Sequence, residues 1–264
     1  MDFATLAGVI LAVVAVVVGM IFKGASLSAL ANPAATLIIF AGTAGAVSIA
    51  MPGSQLKRLP KLFKVIFMNS GKGLDYKEIM ELFVLWAGES RKHGILSLEE
   101  KVKEVDDPFI QRGMRYVIDG MGAEDLRAIM EAELEGIEER HGKGAQIFVQ
   151  AGTYAPTLGV LGAVIGLVAA LGDLSNMEKL GHAISGAFIA TVFGIFSGYV
   201  LWHPFANKLK QKSAAELEKK RLILECMLML QAGVYPFLIK NRILGALSET
   251  ERKKIEEAGA KGNE

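Results

Sequence analysis

Among the polar side chains that could act on an ion inside the apolar parts of this chain are several hydroxyls. The uncharged stretch 144–172 contains Thr153 and Thr157, and a later apolar stretch contains Thr191. Hydroxyls can line a path for an ion, but the proton and ion relays of membrane proteins generally use ionisable side chains. These stretches are therefore either inert packing, or part of a channel whose titratable group comes from another chain.

Pro156 and several small residues distinguish the stretch 144–172 from a simple membrane anchor. As a helix it would be about 43 Å long at 1.5 Å per residue, which exceeds the ~30 Å hydrocarbon core of a bilayer. Pro156 lacks the amide hydrogen that would bond to the carbonyl of Gly152, so that oxygen must face protein or water. The residues beyond the proline allow another helix to approach closely: Gly159, Gly162, Ala163 and Gly166.

Four apolar blocks predict an all-α membrane protein with four transmembrane helices. Hydrophobic residues make up 52% of the 264 residues, and the charged 22% lie mostly between the blocks, which is too uneven for one soluble domain. Residues 3–22 are long and apolar enough to span a bilayer. Asn32 and Pro33 predict the cap and first residue of a second helix that continues to Pro52. We assign residues 1–56 to these two helices.

The third and fourth spans are predicted within residues 144–207. The fourth runs from Leu180 to about Ala206, and Pro204 is expected to interrupt its end because it frees the carbonyl of Val200. Small residues recur there at every fourth position and form a ridge for close helix packing: Gly186, Ala190, Gly194 and Gly198.

Residues 57–143 predict a folded helical domain between the second and third spans. They carry 15 Lys or Arg and 17 Asp or Glu residues, with apolar residues at helical spacing. We expect one helix after Asp75 that breaks or bends at Gly94. A second helix is expected over about 108–117, and a third, acidic one over 123–140.

The sequence contains no pattern for an enzyme, for a metal site or for nucleic-acid binding. The nearest approach to a phosphate-binding loop, residues 70–73, lacks the upstream glycine and a Ser or Thr after its lysine. The four histidines have no ligand spacing, and Cys226 is the single cysteine. The net charge of +1 gives no basis for nucleic-acid binding. We therefore expect a protein that is not an enzyme and has no cofactor.

Positive charges flank the apolar blocks mainly on one side of the membrane. Lys and Arg residues follow the second block, precede the third and follow the fourth: Lys57, Arg58, Lys61, Lys64, Arg140, Lys143, Lys208, Lys210 and Lys212. The opposite side has Lys23 and Lys179. Because positively charged loops stay in the cytoplasm, we predict that residues 57–143, the helical tail 208–264 and the N-terminus are cytoplasmic.

Long segments of the chain resemble a known family. QAGTYAPTLGVLGAVIGLVAAL and GHAISGAFIATVFGIFSGYVLWHPFANKLKQKS resemble the paired third and fourth spans of flagellar motor stator subunits of the MotA/PomA family. GMIFKGASLSALANPAATLIIFAGT and RKHGILSLE resemble other parts of the same family, so the match runs nearly end to end. The related TolQ and ExbB subunits resemble the last two spans, but they typically have three spans.

The resemblance implies a stator subunit in the cell membrane that works only in a complex. Such subunits form a ring, thought to contain five copies, around a dimer of MotB, whose single membrane helix carries the aspartate that binds the ion. Ion flow is thought to turn the ring, which pushes on the rotor protein FliG. The alternatives are a sodium-driven stator subunit, a TolQ- or ExbB-like proton channel subunit, or a self-contained transporter or scaffold.

The resemblance also implies roles for individual residues. Pro156 and Pro204 correspond to the two family prolines that couple ion flow to movement. Arg91 and Glu99 correspond to the charged pair that faces the rotor. From the residues alone, a solvated helix surface is the preferred interpretation of these two charges.

The predicted ion depends on Ala163 and Thr191. Counted from the outer ends of their helices, both lie roughly 14–17 Å deep at 1.5 Å per residue. Thr191 corresponds by resemblance to the pore-lining threonine of the fourth span, although it can also bond back to the carbonyl of Ala187. Sodium-driven members resemble GTLIG where this chain has GAVIG, so a second hydroxyl for sodium is missing here. The resemblance therefore favours protons.

Cysteine labelling in intact cells tests the predicted topology. Cysteines introduced at Ser26 and Ser175 should react with a membrane-impermeant thiol reagent, because both positions lie in turns predicted to face outward. A cysteine at Ser97 should stay unlabelled until the membrane is opened. The unsubstituted chain gives the background, and labelling at Ser97 in intact cells would overturn the topology.

Overall fold

The computed structural model describes residues 2–68, 73–172, 174–253 and 255. These residues form helices and turns and contain no β-strand, which confirms the predicted all-α fold. The main helices are α1 (Phe3–Phe22), α2 (Pro33–Ala50), α3 (Leu59–Phe67), α4 (Tyr76–His93), α5 (Glu99–Lys103), α6 (Pro108–Ile118), α7 (Ala123–Leu171), α8 (Met177–Gln231) and α9 (Pro236–Ala246). Two predicted features lie partly outside the described residues: residues 70–72 of the segment compared with a phosphate-binding loop, and Asp173 in the predicted outer turn.

Among the described residues, four helices are long and apolar enough to cross a membrane, α1, α2, α7 and α8, which confirms the predicted number of spans. The start of α2 is also as predicted. Asn32 accepts a hydrogen bond from the amide of Ala35 at 2.9 Å, and Pro33 is the first helical residue. One π-helical turn, Leu37–Ala41, lies within α2.

The helix predicted after Asp75 is α4, and both of its ends follow from local chemistry. The side chain of Asp75 accepts from the amide of Glu78 at 2.8 Å, while the Glu78 side chain accepts from the amide of Asp75 at 2.6 Å. At the other end α4 stops at His93, because Gly94 adopts a φ of 81°. This left-handed conformation suits glycine, which has no Cβ.

Helix α7 corrects the predicted division between the acidic helix and the third span. We predicted separate elements over 123–140 and 144–172, but α7 is continuous through both. A glycine weakens a helix by about 1 kcal/mol without ending it, and no proline lies between the two segments. At Gly144 the missing side chain makes room for Leu62, since a Cβ there would lie 3.0 Å from the Leu62 Cδ2.

Helix α8 shows that Pro204 does not end the fourth span, which corrects the predicted interruption. The helix continues through the proline into the charged tail and ends at Gln231. A π-helical turn, Ser197–Trp202, directly precedes His203 and Pro204. Wider turns of this kind shift the hydrogen-bond pattern, so the helix continues past a residue that lacks an amide hydrogen.

The chain folds as two compact units, each made of two sequence segments. The first contains Met1–Asn69 and Arg140–Lys212, and the second contains Ser70–Glu139 and Ser213–Glu264. Residues 57–68 and 208–212, which the sequence assigns to the cytoplasmic parts, belong to the compact unit that also holds the membrane spans.

Each unit has its own apolar core. In the first unit α3 packs through Phe63, whose ring meets that of Phe148 edge to face at 5.3 Å. In the second unit Phe83 and Trp86 of α4 are almost fully buried and pack edge to face at 5.4 Å. The second core also takes residues from α6, α8 and α9, so the charged tail helices belong to a folded unit.

Asp2 joins three segments of the first unit. Its carboxylate lies 2.7 Å from the Nζ of Lys208 and 3.5 Å from that of Lys212, and its amide donates to the carbonyl of Phe67 at 2.9 Å. Lys212 also donates to two carbonyls at the end of α3, at 2.6 and 2.8 Å. The hydrogen bond from Lys208 lowers the pKa of Asp2 to about 2, so this carboxylate stays charged.

Substitution of Asp2 by Asn tests whether this charge holds the segments together. Asn caps a helix as well as Asp does, so Asp2→Asn removes the ion pairs and keeps the cap. Because the folded pKa lies below the ordinary value of 3.8, the contribution of Asp2 is present above about pH 5 and is lost as pH falls towards 2. We expect a thermal unfolding midpoint a few degrees lower at pH 7, and a smaller difference at pH 3.

The matched control is Glu81→Gln, which removes an exposed ion pair with Lys77 within α4. Exposed pairs of this kind contribute little to stability, so the control should unfold like the wild type. An equal loss for Asp2→Asn at both pH values would show that the charge of Asp2 is not what stabilises the unit.

Candidate functional site

The third and fourth spans, residues 144–171 of α7 and 177–206 of α8, meet along a seam of small residues. Numbers rise along one helix as they fall along the other, so the spans are antiparallel. The facing pairs are Gly159 with Gly194, Gly162 with Ala190, and Gly166 with Ala187. The small-residue ridges predicted for the two spans thus pack against each other.

Glycine is required where the two helices come closest. A Cβ at Gly194 would lie 2.6 Å from the carbonyl oxygen of Ala155, closer than real Cβ atoms approach such a group. The backbones therefore touch directly, as small residues allow in membrane helices. Gly186 of the predicted ridge is an exception, because it faces Asn32 at the start of α2.

Pro156 lies in this seam and does not end α7. A Cβ at Gly198 would lie 2.7 Å from the proline Cγ and 2.9 Å from the carbonyl oxygen of Gly152. The latter is the carbonyl that Pro156 deprives of its helical partner. The fourth span therefore makes room for the ring and covers the free carbonyl, so this part of α7 faces protein, as predicted.

His203 fills the space beside Gly152, a contact that sequence reasoning missed. Three atoms of its ring lie 2.8–2.9 Å from where a Cβ on Gly152 would stand, and the ring of Tyr199 lies 5.5 Å away. Since His203 precedes Pro204 and Gly152 lies one turn before Pro156, both prolines are at the same end of the seam. Extending the antiparallel register of the two glycine ridges would have located this contact.

The candidate hydroxyls donate to their own helices. Thr157 donates to the carbonyl of Tyr154 at 2.7 Å, and Thr191 donates to the carbonyl of Ala187 at 3.3 Å, the back-bond that the sequence allowed. Thr157 is exposed on the side of α7, whereas Thr191 is half-buried beside the seam. Because the hydrogens are used within the helices, these side chains offer an ion only the lone pairs of their oxygens.

Ala163 and Thr191 lie at one level of the helix pair. Gly162 and Ala190 face each other, and Ala163 and Thr191 are the residues that follow them. Ala163 is half-buried and adds only a methyl group. The register of the two helices brings both residues to the same part of the seam, while their roles in an ion path stay predictions.

The two predicted rotor-facing charges lie on different helices and have different partners. Arg91, in the last turn of α4, donates from Nη1 to the carbonyl of Gly233 at 2.6 Å and stacks on the ring of Tyr235, 3.8 Å from its centroid. Glu99 begins α5, is exposed, and lies 3.5 Å from the Nζ of Lys103. Glu99 also lines a surface groove of about 630 Å³. The structure therefore does not bring Arg91 and Glu99 together as a pair.

Ionisable groups are scarce along the seam. The stretches 144–172 and 180–206 contain no Asp, Glu, Lys or Arg, and their two histidines, His182 and His203, lie near the ends of the fourth span. Among the described residues, no three His, Cys, Asp or Glu side chains come together as a metal site. The seam can pack and can offer oxygen atoms, but its central part has no group that would bind a proton.

Two family models match the chain. Residues 101–221 match the MotA/TolQ/ExbB proton channel family, and residues 6–94 match the motility protein A N-terminal family. The chain is 51% identical over 263 residues to motility protein A of Bacillus subtilis (strain 168), across 100% of this chain and 97% of that protein.

Solved structures agree with the sequence relatives. A chain of the flagellar MotAB stator complex from Bacillus subtilis superimposes with a TM-score of 0.90 at 52% identity, across 96% of this chain and 99% of that one. A chain of C. jejuni MotAB gives a TM-score of 0.88 at 30% identity, across 94% and 97%. The chain therefore belongs to the MotA/TolQ/ExbB proton channel family, and its N-terminal match places it with the motility protein A stator subunits.

Proposed function

We propose that this protein and a MotB-type partner together form the channel that converts ion flow into rotation of the flagellar motor. The observation that carries the proposal is the seam of α7 and α8, which is closely packed and has no carboxylate in either membrane stretch. An ion relay through lipid needs an ionisable group, so the partner has to supply it. Both solved relatives are MotAB structures.

An exposed stripe along α7 suits contact with the partner helix. The stripe runs along one helical face and consists of Thr153, Thr157, Val160, Val164 and Val168. Its inner end offers hydroxyl oxygens, and its outer part offers branched apolar side chains that pack against another helix. We assign this face to the inside of a homo-oligomeric ring, which by resemblance contains five copies around a dimer of the partner.

Both termini are assigned to the cytoplasm. The ion pairs of Asp2 with Lys208 and Lys212 hold the start of α1 beside the lysines that follow the fourth span. Four crossings put both ends of the chain on one side, and lysine-rich flanks mark that side as cytoplasmic.

The transported ion is assigned as the proton. A sodium ion exchanges its hydration water for several oxygen ligands, whereas a proton moves along waters to a carboxylate. At the level of Ala163 and Thr191 the chain offers one hydroxyl oxygen and one methyl group. This supports protons over sodium, which is the second candidate ion.

Rotation without sodium tests the ion assignment. Swimming speed should persist when potassium replaces sodium at fixed pH, and it should collapse with a protonophore. Rotation that stops without sodium, yet survives a protonophore while a sodium gradient is held, would contradict the assignment. Ala163→Thr and Ala163→Val form a matched pair of nearly equal shape that differs by one hydroxyl. We expect Ala163→Val to remain independent of sodium, and any sodium dependence that the added hydroxyl brings to appear only in Ala163→Thr.

Force on the rotor is assigned to Arg91 and Glu99. Both side chains belong to the second unit, lie at helix ends and reach the surface. Charged groups at such positions can attract and repel charges on the rotor protein FliG without being needed for the core. Such a role requires no bound cofactor and no enzymatic reaction.

Charge reversal tests the rotor contact. Arg91→Glu and Glu99→Lys should each reduce torque while leaving the number of stator units around the motor unchanged, since exposed charges contribute little to stability. Compensating reversals on FliG should restore rotation. Glu81→Lys, an exposed reversal elsewhere on α4, is the control. Normal swimming by both reversals would remove these residues from the contact.

A further inference from the structure

The turn that connects α8 and α9 presents two groups to Arg91, the carbonyl of Gly233 and the ring of Tyr235. Gly233 has a φ of 68°, and the amides of Gly233 and Val234 donate to the carbonyls of Leu230 and Met229 at 3.0 and 3.1 Å. This is the pattern of a helix that ends in a left-handed glycine. Tyr235 then takes an extended conformation because it precedes Pro236, the first residue of α9.

Arg91 receives both groups of that turn. Its Nη1 donates to the carbonyl of Gly233, and the Cζ of its guanidinium lies over the ring of Tyr235, 3.8 Å from the ring centroid. Tyr235 is itself 57% exposed, so burial in the core does not explain its position. The other basic residues in the last turn of α4, Lys92 and His93, have no such contact in the part of the chain that the structure describes.

We propose that Tyr235 is a positioning residue for Arg91, which fixes the guanidinium so that it can meet a carboxylate on the rotor. The inference rests on the proposed role of Arg91 in rotor contact. An exposed arginine has many side-chain orientations. A guanidinium that changes orientation freely would transmit little force to the rotor. A guanidinium has five N–H donors, and Gly233 takes one of them, so others remain for a bidentate carboxylate.

The proposal depends on the planar guanidinium and on the face of an aromatic ring. A lysine at position 91 keeps the charge, but it cannot stack as a plane or form a fork with a carboxylate. Phenylalanine at position 235 keeps the ring face and loses the hydroxyl. Leucine at position 235 keeps apolar bulk and loses the ring.

The test measures torque per stator unit together with the number of fluorescently tagged stator units at the motor. Tyr235→Phe should behave like the wild type. Tyr235→Leu and Arg91→Lys should lower torque per unit by about two- to fivefold, the population change that loss of an exposed cation–π contact implies. In an Arg91→Ala background, Tyr235→Leu should cause no further loss.

Two results would overturn the inference. One is normal torque for Tyr235→Leu. The other is an equal loss with and without Arg91, which would mean that Tyr235 acts by supporting α9. If Tyr235→Leu does not assemble, Arg91→Lys decides, and normal torque in that variant rejects the inference. The proposed rotor contact fails separately, when Arg91→Glu and Glu99→Lys both swim normally.

Discussion

Direct backbone contact between two apolar helices is the constraint on which the membrane part of this protein depends. Lipid tails are as apolar as leucine, so bulky apolar residues give two spans little reason to prefer each other over lipid. Glycines such as Gly159 and Gly194 supply that preference, because they let the two helices approach until their main-chain atoms touch. A face built for this contact has no room for a carboxylate, and this is why the proposed channel takes its ion-binding group from another chain.

The lipid environment also explains why prolines do not end these helices. In a bilayer a broken helix would leave carbonyl groups without partners, at a cost of several kcal/mol for each. Here the carbonyl freed by Pro156 is covered by Gly198, and Pro204 follows a π-helical turn within a helix that continues. Both helices thus keep their direction while their internal hydrogen bonding is weakest at one end of the seam. A change of helix shape driven by ion binding would concentrate there.

Local chemistry could be predicted from the sequence, whereas contacts between distant residues could be predicted only where a regular pattern such as the two glycine ridges marked them. The ends of α4 follow from Asp75 and Gly94, residues whose side chain or lack of one acts within a few positions. The split of α7 was predicted wrongly because glycine lowers helix stability without deciding it, and a packing partner such as Leu62 outweighs that loss. The stacking of Arg91 on a residue 144 positions later had no periodic signal at all.

The charged residues differ in the groups that they contact. These contacts show which charges stabilise the fold and which are available for function. Lys208 and Lys212 look like plain cytoplasmic flanks in the sequence, yet they neutralise Asp2 and so serve the fold. Among the described residues Glu99 pairs with Lys103, one turn away on its own helix, which leaves its orientation to local rotamers. Arg91 is held by a turn from a distant part of the chain. Its position is therefore set by the tertiary structure, and under the proposed rotor contact an arginine held this way would transmit force that a freely moving charge would dissipate.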